Sequence, residues 1–323
     1  MILKCSTSFF MFASLLYAIE SFVTGPAFFT CSRHCCLQKT ASVKRGRLGV
    51  PAGSKSFDGT DGYETGPSQY WEYLSACLNE LGELETLLPY PMPDSLQRQT
   101  SAIVGGKSRK EEVIITLDGY QTSKIRQLRS CILEGNGSTE VLNLVAFPRV
   151  QYDVPIFGAD LVSLPGQDLI AIDFQPIFRT KEYQQKYFSR LQLVYDTYKG
   201  LAQNTPPLPE DVRGYFSPYA LWIKIPHSSG SSIKQTSVKR KLGASIYDAF
   251  KEYVSAYKMV LAEAEPVTDP EVLNEIRIKH QDYSSYRHTN DPARPLLSRF
   301  FGPEKTEKML SEFLFDAHNG KVL

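Results

Sequence analysis

Apolar segments follow one another through the middle of the chain, and the breaks between them are short enough to be hairpins. The segments cover residues 113–117, 125–133, 141–147, 159–164 and 169–174. Turn-forming residues, among them Gly135-Asn136-Gly137, Pro155 and Pro165-Gly166, lie between them. A parallel crossover needs a dozen or more residues, so neighbouring strands with such short connections must run antiparallel. A central antiparallel sheet is therefore the strongest constraint on the fold.

Helical periodicity precedes and follows this strand-rich region. The spacing of apolar residues predicts one helix before it, at 69–88, and one further strand after it, at 220–225. It also predicts later helices at 181–201, 245–264, 270–286, 294–301 and 303–317. Strands in the middle with helices on both sides in sequence are typical of a layered α+β domain. We expect residues 68–318 to form a single domain.

The first 67 residues differ in composition from the rest. An apolar run at 9–19 is too short to span a bilayer but has the length of a signal-peptide core, and residues 30–56 contain basic groups, Ser and Thr but no acid. Residues 1–56 resemble a bipartite signal and transit leader, and 57–67 a flexible junction. This predicts a mature protein in the stroma of a secondary plastid, without a membrane segment. The alternative is an ordinary secretory signal followed by a disordered linker.

Charge and motif content exclude several classes of protein. The net charge of +1 is unfavourable for nucleic-acid binding. Gly106-Lys107-Ser108 ends like a phosphate-binding loop, but Ser101 occupies the place of its first glycine, and no Gly-x-Gly-x-x-Gly is present. The cysteines and His34 at 31–36 match no common zinc spacing. We expect no bound cofactor or metal, and solvated side chains for His280 and His288.

Two carboxylates are candidates for proton transfer. Asn143 and Asp160 each interrupt a strongly apolar strand pattern. A carboxyl group on a covered strand must be paired or must hold its proton, and a neutral acid can act as a proton donor. Asp160 could instead cap a turn or pair with an arginine. Asp291 precedes Pro292 at a helix-stop signal, and the residues alone favour a role for it as a helix cap, with Pro292 at the first helical position.

Taken together, several motifs resemble those of the ferredoxin-dependent bilin reductases. The resemblance runs in order from Trp71 to Asp316. Its motifs are Asn143 to Pro148, Pro155 to Asp160, Asp173 to Pro176, Phe216-Ser217-Pro218, Asp291 to Arg294, and Phe313 to Asp316. It implies a three-layer α/β/α sandwich with a central, mostly antiparallel sheet and a tetrapyrrole pocket between the sheet and the C-terminal helices. It also implies that no cofactor is bound and that reduced ferredoxin is the external electron donor.

Within this family, three segments resemble the branch that reduces the A-ring diene of 15,16-dihydrobiliverdin to phycoerythrobilin through bilin radicals. These segments are Pro89 to Asp94, Ile125 to Arg129, and Asp160 to Pro165. Asn143 and Cys131 stand where the phycocyanobilin-forming branch carries His and Glu. Two alternatives remain open: 15,16-reduction of biliverdin, and a non-redox bilin carrier or lyase-like protein. The upstream biliverdin-reducing enzyme is a further candidate partner.

The resemblance also implies roles for individual residues. Asp160 and Asp291 would deliver protons to opposite faces of the bilin, and Asn143 would hydrogen-bond its pyrrole or lactam groups. Lys224 would bind a propionate, with Arg294 as a second candidate. An acidic ferredoxin would dock on a basic rim around the pocket. Four basic residues of the insertion could contribute to that rim or form a solvated charge run: Lys234, Lys239, Arg240 and Lys241.

Overall fold

The structure is a computed structural model that describes residues 68–105, 109–135, 139–164, 166–208, 210–227 and 242–319. The leader and junction predicted for residues 1–67 lie outside the described residues. The same holds for the four basic residues of the insertion, which fall within 228–241.

An eight-stranded sheet forms the centre of the fold. Its strands are β1 (Leu88–Pro89), β2 (Arg98–Gly105), β3 (Arg109–Gln121), β4 (Ile125–Gly135), β5 (Glu140–Pro148), β6 (Ile156–Leu164), β7 (Gln167–Gln175) and β8 (Leu221–Pro226). From β3 to β8 they lie side by side in chain order, and β1 and β2 both pair with the outer side of β3. Every strand pair in the described ranges is antiparallel. The predicted hairpin sheet is confirmed.

Helices cover both faces of this sheet. They are α1 (Tyr70–Gly82), α2 (Asp94–Gln97), α3 (Lys181–Tyr198), α4 (Glu210–Arg213), α5 (Ala244–Glu263), α6 (Pro270–Thr289), α7 (Arg294–Phe301) and α8 (Pro303–Met309). Helices α1, α3 and α5 pack in the main core against the even-numbered residues of β5 and β7. Helices α7 and α8 pack on the other face, against β3 and β4. The α+β class with helices flanking the sheet is therefore confirmed.

The register of the sheet aligns side chains in rows across the face that α7 and α8 partly cover. One row runs Leu117, Cys131, Asn143, Asp160, Ala171, Trp222, strand by strand from β3 to β8. The neighbouring row runs Leu133, Val141, Val162, Leu169, Lys224 from β4 to β8. Successive side chains alternate between the faces of a sheet, so both rows lie on the same face. This face contains the candidate site.

Helix boundaries differ most from the sequence prediction in the first and the last predicted helix, and by three residues or fewer in the others. Helix α1 ends at Gly82 rather than Leu88, and the chain turns through 83–85 before entering β1. The predicted helix at 303–317 stops at Met309 and continues as a π turn over Leu310–Leu314. That turn brings the C-terminal Phe313-Leu314-Phe315 segment against the sheet.

Two further expectations are corrected. The sheet also includes Arg98–Gly105 and the whole of Arg109–Gln121, whereas apolar spacing indicates only 113–117. Apolar spacing misses these parts because β2 and the start of β3 are rich in polar and charged residues. His280 is buried, with 1% of its surface exposed, rather than solvated. Burial lowers the pKa of His280 to about 3, with a smaller contribution from Arg126. None of the helices within the described ranges is long and apolar enough to cross a membrane.

Candidate active site

A cleft lies between the sheet and the C-terminal helices and encloses about 1380 Å³ of space, counting its open mouth. Its floor is made by the two rows of side chains on β4 to β8. Its other walls are formed by the end of α6, the loop that follows it, α7, and the segment around Phe216. The lining is mostly apolar, with a few polar groups that converge inside.

Asn143 and Asp160 form the polar centre of the floor. They are direct register partners on β5 and β6, and the Asn143 side-chain amide donates a hydrogen bond to Asp160 Oδ1. The Asn143 side-chain oxygen accepts a hydrogen bond from the guanidinium of Arg129 on β4. Asp160 keeps 35% of its side chain exposed to the cleft. Both residues therefore lie within apolar strands, as the sequence predicted, and the register of the sheet brings them together.

Arg287 approaches the same carboxylate from α6. Its Nη2 lies 3.7 Å from Asp160 Oδ2, and its side chain is 12% exposed. Burial alone would lower the pKa of Arg287, but Tyr283, Asp160 and Asp291 together raise it. Asp160 therefore pairs with an arginine, which is one of the alternatives that the sequence left open. It also faces the cleft.

Asp291 faces the cleft from the loop between α6 and α7. The backbone N–H of Ala293 donates to Asp291 Oδ1 at 2.7 Å, which is the pattern of a local Asx turn. Helix α7 begins only at Arg294, with Pro295 in its first turn, so the prediction that Asp291 caps a helix starting at Pro292 is wrong. Burial raises the pKa of Asp291, although Arg287 and other nearby groups act in the opposite direction.

Aromatic rings form one wall of the cleft. Tyr215 and Tyr286 stack with their centroids 4.0 Å apart and their planes at 20°, and Tyr283 meets Tyr215 edge to face. Phe216 and Trp222 extend this wall toward the end of the sheet. Flat conjugated ligands pack favourably against such rings. The combination of a long apolar cleft with an aromatic wall suits an extended planar molecule.

Two of the sequence motifs meet beside this wall. Asp173, fully buried on β7, accepts hydrogen bonds from the backbone N–H of Ser217, at 2.7 Å, and from its hydroxyl group. Burial raises the pKa of Asp173 to about 7 despite these donors. The pair fixes the Phe216-Ser217-Pro218 segment, and with it Phe216, at the edge of the cleft.

The lack of a side chain at Gly158 leaves space for a residue that lines the cleft. A Cβ atom at Gly158 would come within 2.8 Å of the Gln175 side-chain nitrogen. Gln175 lines the cleft from the neighbouring strand β7. The glycine of the Pro-x-Phe-Gly-x-Asp motif therefore makes room for this amide.

The two predicted propionate-binding residues occupy different places. Lys224 lies at the end of the row Leu133–Val141–Val162–Leu169 on β8, on the cleft face but outside the immediate lining. Arg294 also lies outside the lining. Its guanidinium pairs with Glu307 on α8 and donates to the carbonyl oxygen of His288. The position of Lys224 is compatible with a ligand group that extends beyond the floor, and Arg294 already has structural partners.

Arg129 and Arg287 are site residues that the sequence analysis did not assign. The resemblance includes Arg129 only as the last residue of the segment Ile125 to Arg129, and its motifs do not include Arg287. A signal existed for Arg287, which lies in the last turn of α6 and precedes Asp291 by four residues. For the metal prediction, the described residues contain no group of three or more side chains that could hold a metal ion.

Comparison with known proteins agrees with this geometry. The family model described as ferredoxin-dependent bilin reductase matches residues 74–316. The chain belongs to this family. It is therefore an oxidoreductase of the kind that acts on CH–CH groups with ferredoxin as the electron donor, and the alternative of a non-redox carrier or lyase-like protein is not supported.

Relatives named phycoerythrobilin:ferredoxin oxidoreductase include one from Gloeobacter violaceus, 37% identical over 76% of this chain and 95% of its own length. A second, from Nostoc punctiforme, is 38% identical over 76% of this chain and 91% of its own. A relative from the same organism named 15,16-dihydrobiliverdin:ferredoxin oxidoreductase is 34% identical over 61% of this chain and 76% of its own. A crystal structure of tomato phytochromobilin synthase in complex with biliverdin shares the fold, with a TM-score of 0.66 and 23% identity over 79% of this chain and 85% of that one.

Proposed function

We propose that the chain reduces the A-ring diene of 15,16-dihydrobiliverdin and releases phycoerythrobilin. Two electrons arrive singly from two molecules of reduced ferredoxin, and two protons arrive from the protein, so that the diene loses one double bond overall. The bilin itself holds the first electron as a radical, and this route needs no resident cofactor. The two phycoerythrobilin-forming relatives, each similar over more than nine-tenths of its own length, support this substrate.

The observation that carries the proposal is the presence of two carboxyl groups on different walls of one apolar cleft. Asp160 lies on the sheet floor and Asp291 on the helical side, as proton delivery to two faces of a flat ligand would require. The raised pKa of Asp291 suits a group that holds a proton until the substrate needs it. Asn143 offers a second amide N–H to the lactam or pyrrole groups, and Lys224 offers a cation to a propionate.

The decisive experiment is anaerobic turnover of the purified protein with reduced ferredoxin and one bilin at a time. With 15,16-dihydrobiliverdin we expect the absorption spectrum and chromatographic mobility of phycoerythrobilin. With biliverdin we expect binding without formation of 15,16-dihydrobiliverdin. Conversion of biliverdin and inertness toward 15,16-dihydrobiliverdin would overturn the proposal.

That opposite result would establish the second candidate function, reduction of biliverdin at its 15,16 bond. The relative whose name carries the 15,16-dihydrobiliverdin reaction supports it, at a similar identity but over a smaller share of the chain. The same assay run in the presence of an upstream biliverdin-reducing enzyme tests the further proposal that this enzyme is a direct partner. If 15,16-dihydrobiliverdin passes directly from one enzyme to the other, added unlabelled 15,16-dihydrobiliverdin should not dilute the product that is formed from labelled biliverdin.

We also propose that residues 1–56 form a bipartite leader for the stroma of a secondary plastid and are removed there. Mass spectrometry of the protein isolated from its own cells would then find a mature N-terminus near residues 57–67. A mature chain that starts at Met1, or one exported to the medium, would contradict this localisation.

A further inference from the structure

Arg129 is a buried cation beside the floor of the cleft, on the same face of the sheet, and its contacts fix it closely. Arg129 is fully buried, with 0% of its surface exposed to solvent. Its Nε donates to the carbonyl oxygen of Leu314 at 2.8 Å, and its guanidinium lies 5.0 Å from the ring centroid of Phe315. A third contact is the hydrogen bond from Nη1 to the Asn143 side-chain oxygen. Both the C-terminal segment and the floor of the cleft therefore hold this side chain in place.

The pairing of this cation is incomplete. Its Nη2 has no hydrogen-bond partner among the described residues, and no carboxylate oxygen in them lies within ion-pair distance of it. Burial of a guanidinium without a carboxylate partner is costly, since hydration is lost and only partly replaced. An apolar residue would fill the same space without that cost. The presence of a charge here needs a reason beyond the anchoring of Leu314.

The reason lies in the direction of the hydrogen bonds. A guanidinium can only donate, so the Asn143 oxygen must face Arg129 and the Asn143 amide nitrogen must face Asp160. In the flipped amide, two donors would meet at Arg129 and two acceptors would meet at Asp160. Arg129 and Asp160 therefore favour the same orientation of the Asn143 amide, and Arg129 holds its oxygen end.

We propose that Arg129 is a positioning residue that acts through Asn143 to hold Asp160 in the geometry for proton delivery. The inference rests on the proposed function of Asp160 and adds a residue that touches neither the bilin nor ferredoxin. The path runs from the C-terminal segment at Leu314, through Arg129 and Asn143, to the carboxylate in the cleft.

A purely structural role for Arg129 is the competing explanation, and the chain offers a matched control. Arg126 lies on the same strand, is similarly buried, and also anchors the C-terminal segment, through Asp316 at 3.0 Å. It makes no contact with Asn143. The Arg126→Gln variant therefore measures what loss of a buried arginine on β4 does to the fold alone.

The experiment compares Arg129→Gln, Arg129→Lys and Arg126→Gln, using the full chain, 15,16-dihydrobiliverdin and reduced ferredoxin. We expect Arg129→Gln to lower kcat about tenfold or more, with KM nearly unchanged, since misplacement of a reacting group costs rate more than binding. Arg129→Lys should recover part of kcat because an ammonium group also only donates. Arg126→Gln should lower the unfolding midpoint and leave kcat of the folded fraction near the wild-type value.

A double-mutant cycle with Asn143→Ala then tests whether the effect of Arg129→Gln on kcat depends on Asn143. If Arg129 acts through Asn143, Arg129→Gln should change kcat by less than about twofold in the Asn143→Ala background. Equal losses in both backgrounds, or an equal kcat loss in Arg126→Gln, would overturn the inference. If Arg129→Gln does not fold, the cycle is run with Arg129→Lys.

Failure of the proposed function remains distinguishable from failure of this inference. If the wild-type chain does not reduce 15,16-dihydrobiliverdin, the proposed substrate is wrong whatever the variants do. The same cycle is then measured with biliverdin as substrate. Coupling between Arg129 and Asn143 in that reaction would support the positioning role, and additivity would reject it.

Discussion

Asn143 and Asp160 face each other across the β5–β6 ladder, and the amide of the first donates to the carboxylate of the second. A polar pair in the middle of two apolar strands places a hydrogen-bond donor and an acid side by side on the floor of the cleft. Arg129 approaches the pair from β4, and Arg287 approaches it from α6. The sheet thus fixes this polar pair in the cleft, and the arginine from α6 adds a positive charge beside it.

Replacement of Asp160 tests its proton-donor role. In Asp160→Asn the side-chain oxygen can still accept from Asn143, so we expect folding and bilin binding to persist. We expect turnover to fall about a hundredfold or more, the usual cost of losing a general acid. A bilin radical with a long lifetime should be detectable by electron paramagnetic resonance.

Asp153→Asn is the control for this experiment, because Asp153 lies outside the lining of the cleft, where it pairs with Lys186 and accepts a hydrogen bond from Tyr187. Its turnover should equal that of the wild type. Normal turnover of Asp160→Asn, without a persistent radical, would show that Asp160 is not the donor.

Two substitutions of Asp291 separate its local turn from its chemistry. Asp291→Asn keeps an oxygen that can accept from the Ala293 N–H, whereas Asp291→Ala removes it. We expect both variants to lose turnover, and only Asp291→Ala to lower the thermal unfolding midpoint. Circular dichroism melts and single-turnover assays measure the two effects. Full activity in Asp291→Asn would assign Asp291 to the turn alone.

The sequence predicted the sheet and the two acids because apolar segments and the short breaks between them are local signals. Residues 141–147 and 159–164 were assigned as strands, with Asn143 and Asp160 within them. Their pairing was not predictable, since register is set by the whole sheet and a shift of one residue moves a side chain to the other face.

Contacts between residues that are far apart in the sequence could not be predicted, for the same reason. The approach of Arg287 to Asp160 joins a helix to a strand 127 residues earlier. The hydrogen bond from Arg129 to Leu314 depends on the π turn that ends α8. No local pattern encodes such a meeting, and the resemblance to a family supplied the expectation of a pocket without its contacts.

Burial of His280 predicts acid sensitivity. Its pKa is lowered to about 3, so between pH 6.5 and pH 3 the unfolded chain binds the proton and the folded chain does not. Stability present above pH 6.5 is therefore lost as the pH falls. We expect the wild type to lose about 2 kcal/mol relative to His280→Leu between pH 7 and pH 5, measured by urea denaturation.

Ser284→Ala is the control for His280. Ser284 is buried one turn farther along α6, and its side chain does not titrate. This variant should follow the wild-type pH dependence. If His280→Leu also follows it, then His280 can be protonated in the folded state at little cost.

The raised pKa of Asp173 predicts that the stability of the fold depends on pH in the sense opposite to that of His280. Its pKa is raised to about 7, so the folded chain holds the proton over a range in which the unfolded chain releases it. Its contribution to stability is fully present below pH 4 and is lost as the pH rises toward 7. We expect the wild type to lose roughly 2–3 kcal/mol relative to Asp173→Asn between pH 5 and pH 8.

Denaturation of both chains at four pH values measures this difference directly. Asn at this position can still accept the Ser217 N–H, so the Phe216-Ser217-Pro218 segment should stay in place and bilin binding should persist. Parallel pH dependence of the two chains would show that Asp173 is ionised in the fold at neutral pH.

We expect substitution of Gly158 to change the binding of the ligand rather than the stability of the fold. A methyl group at this position meets the end of the flexible Gln175 side chain at 2.8 Å, so that side chain must move, and the backbone need not. Gln175 lines the cleft, so Gly158→Ala should shift the absorption maximum of the bound bilin and weaken its binding, with an unfolding free energy within about 1 kcal/mol of the wild type. Gly166→Ala is the matched substitution, because a Cβ at Gly166 meets nothing within 4 Å. It should leave both spectrum and affinity unchanged, and an unshifted spectrum in Gly158→Ala would mean that the bilin does not reach Gln175.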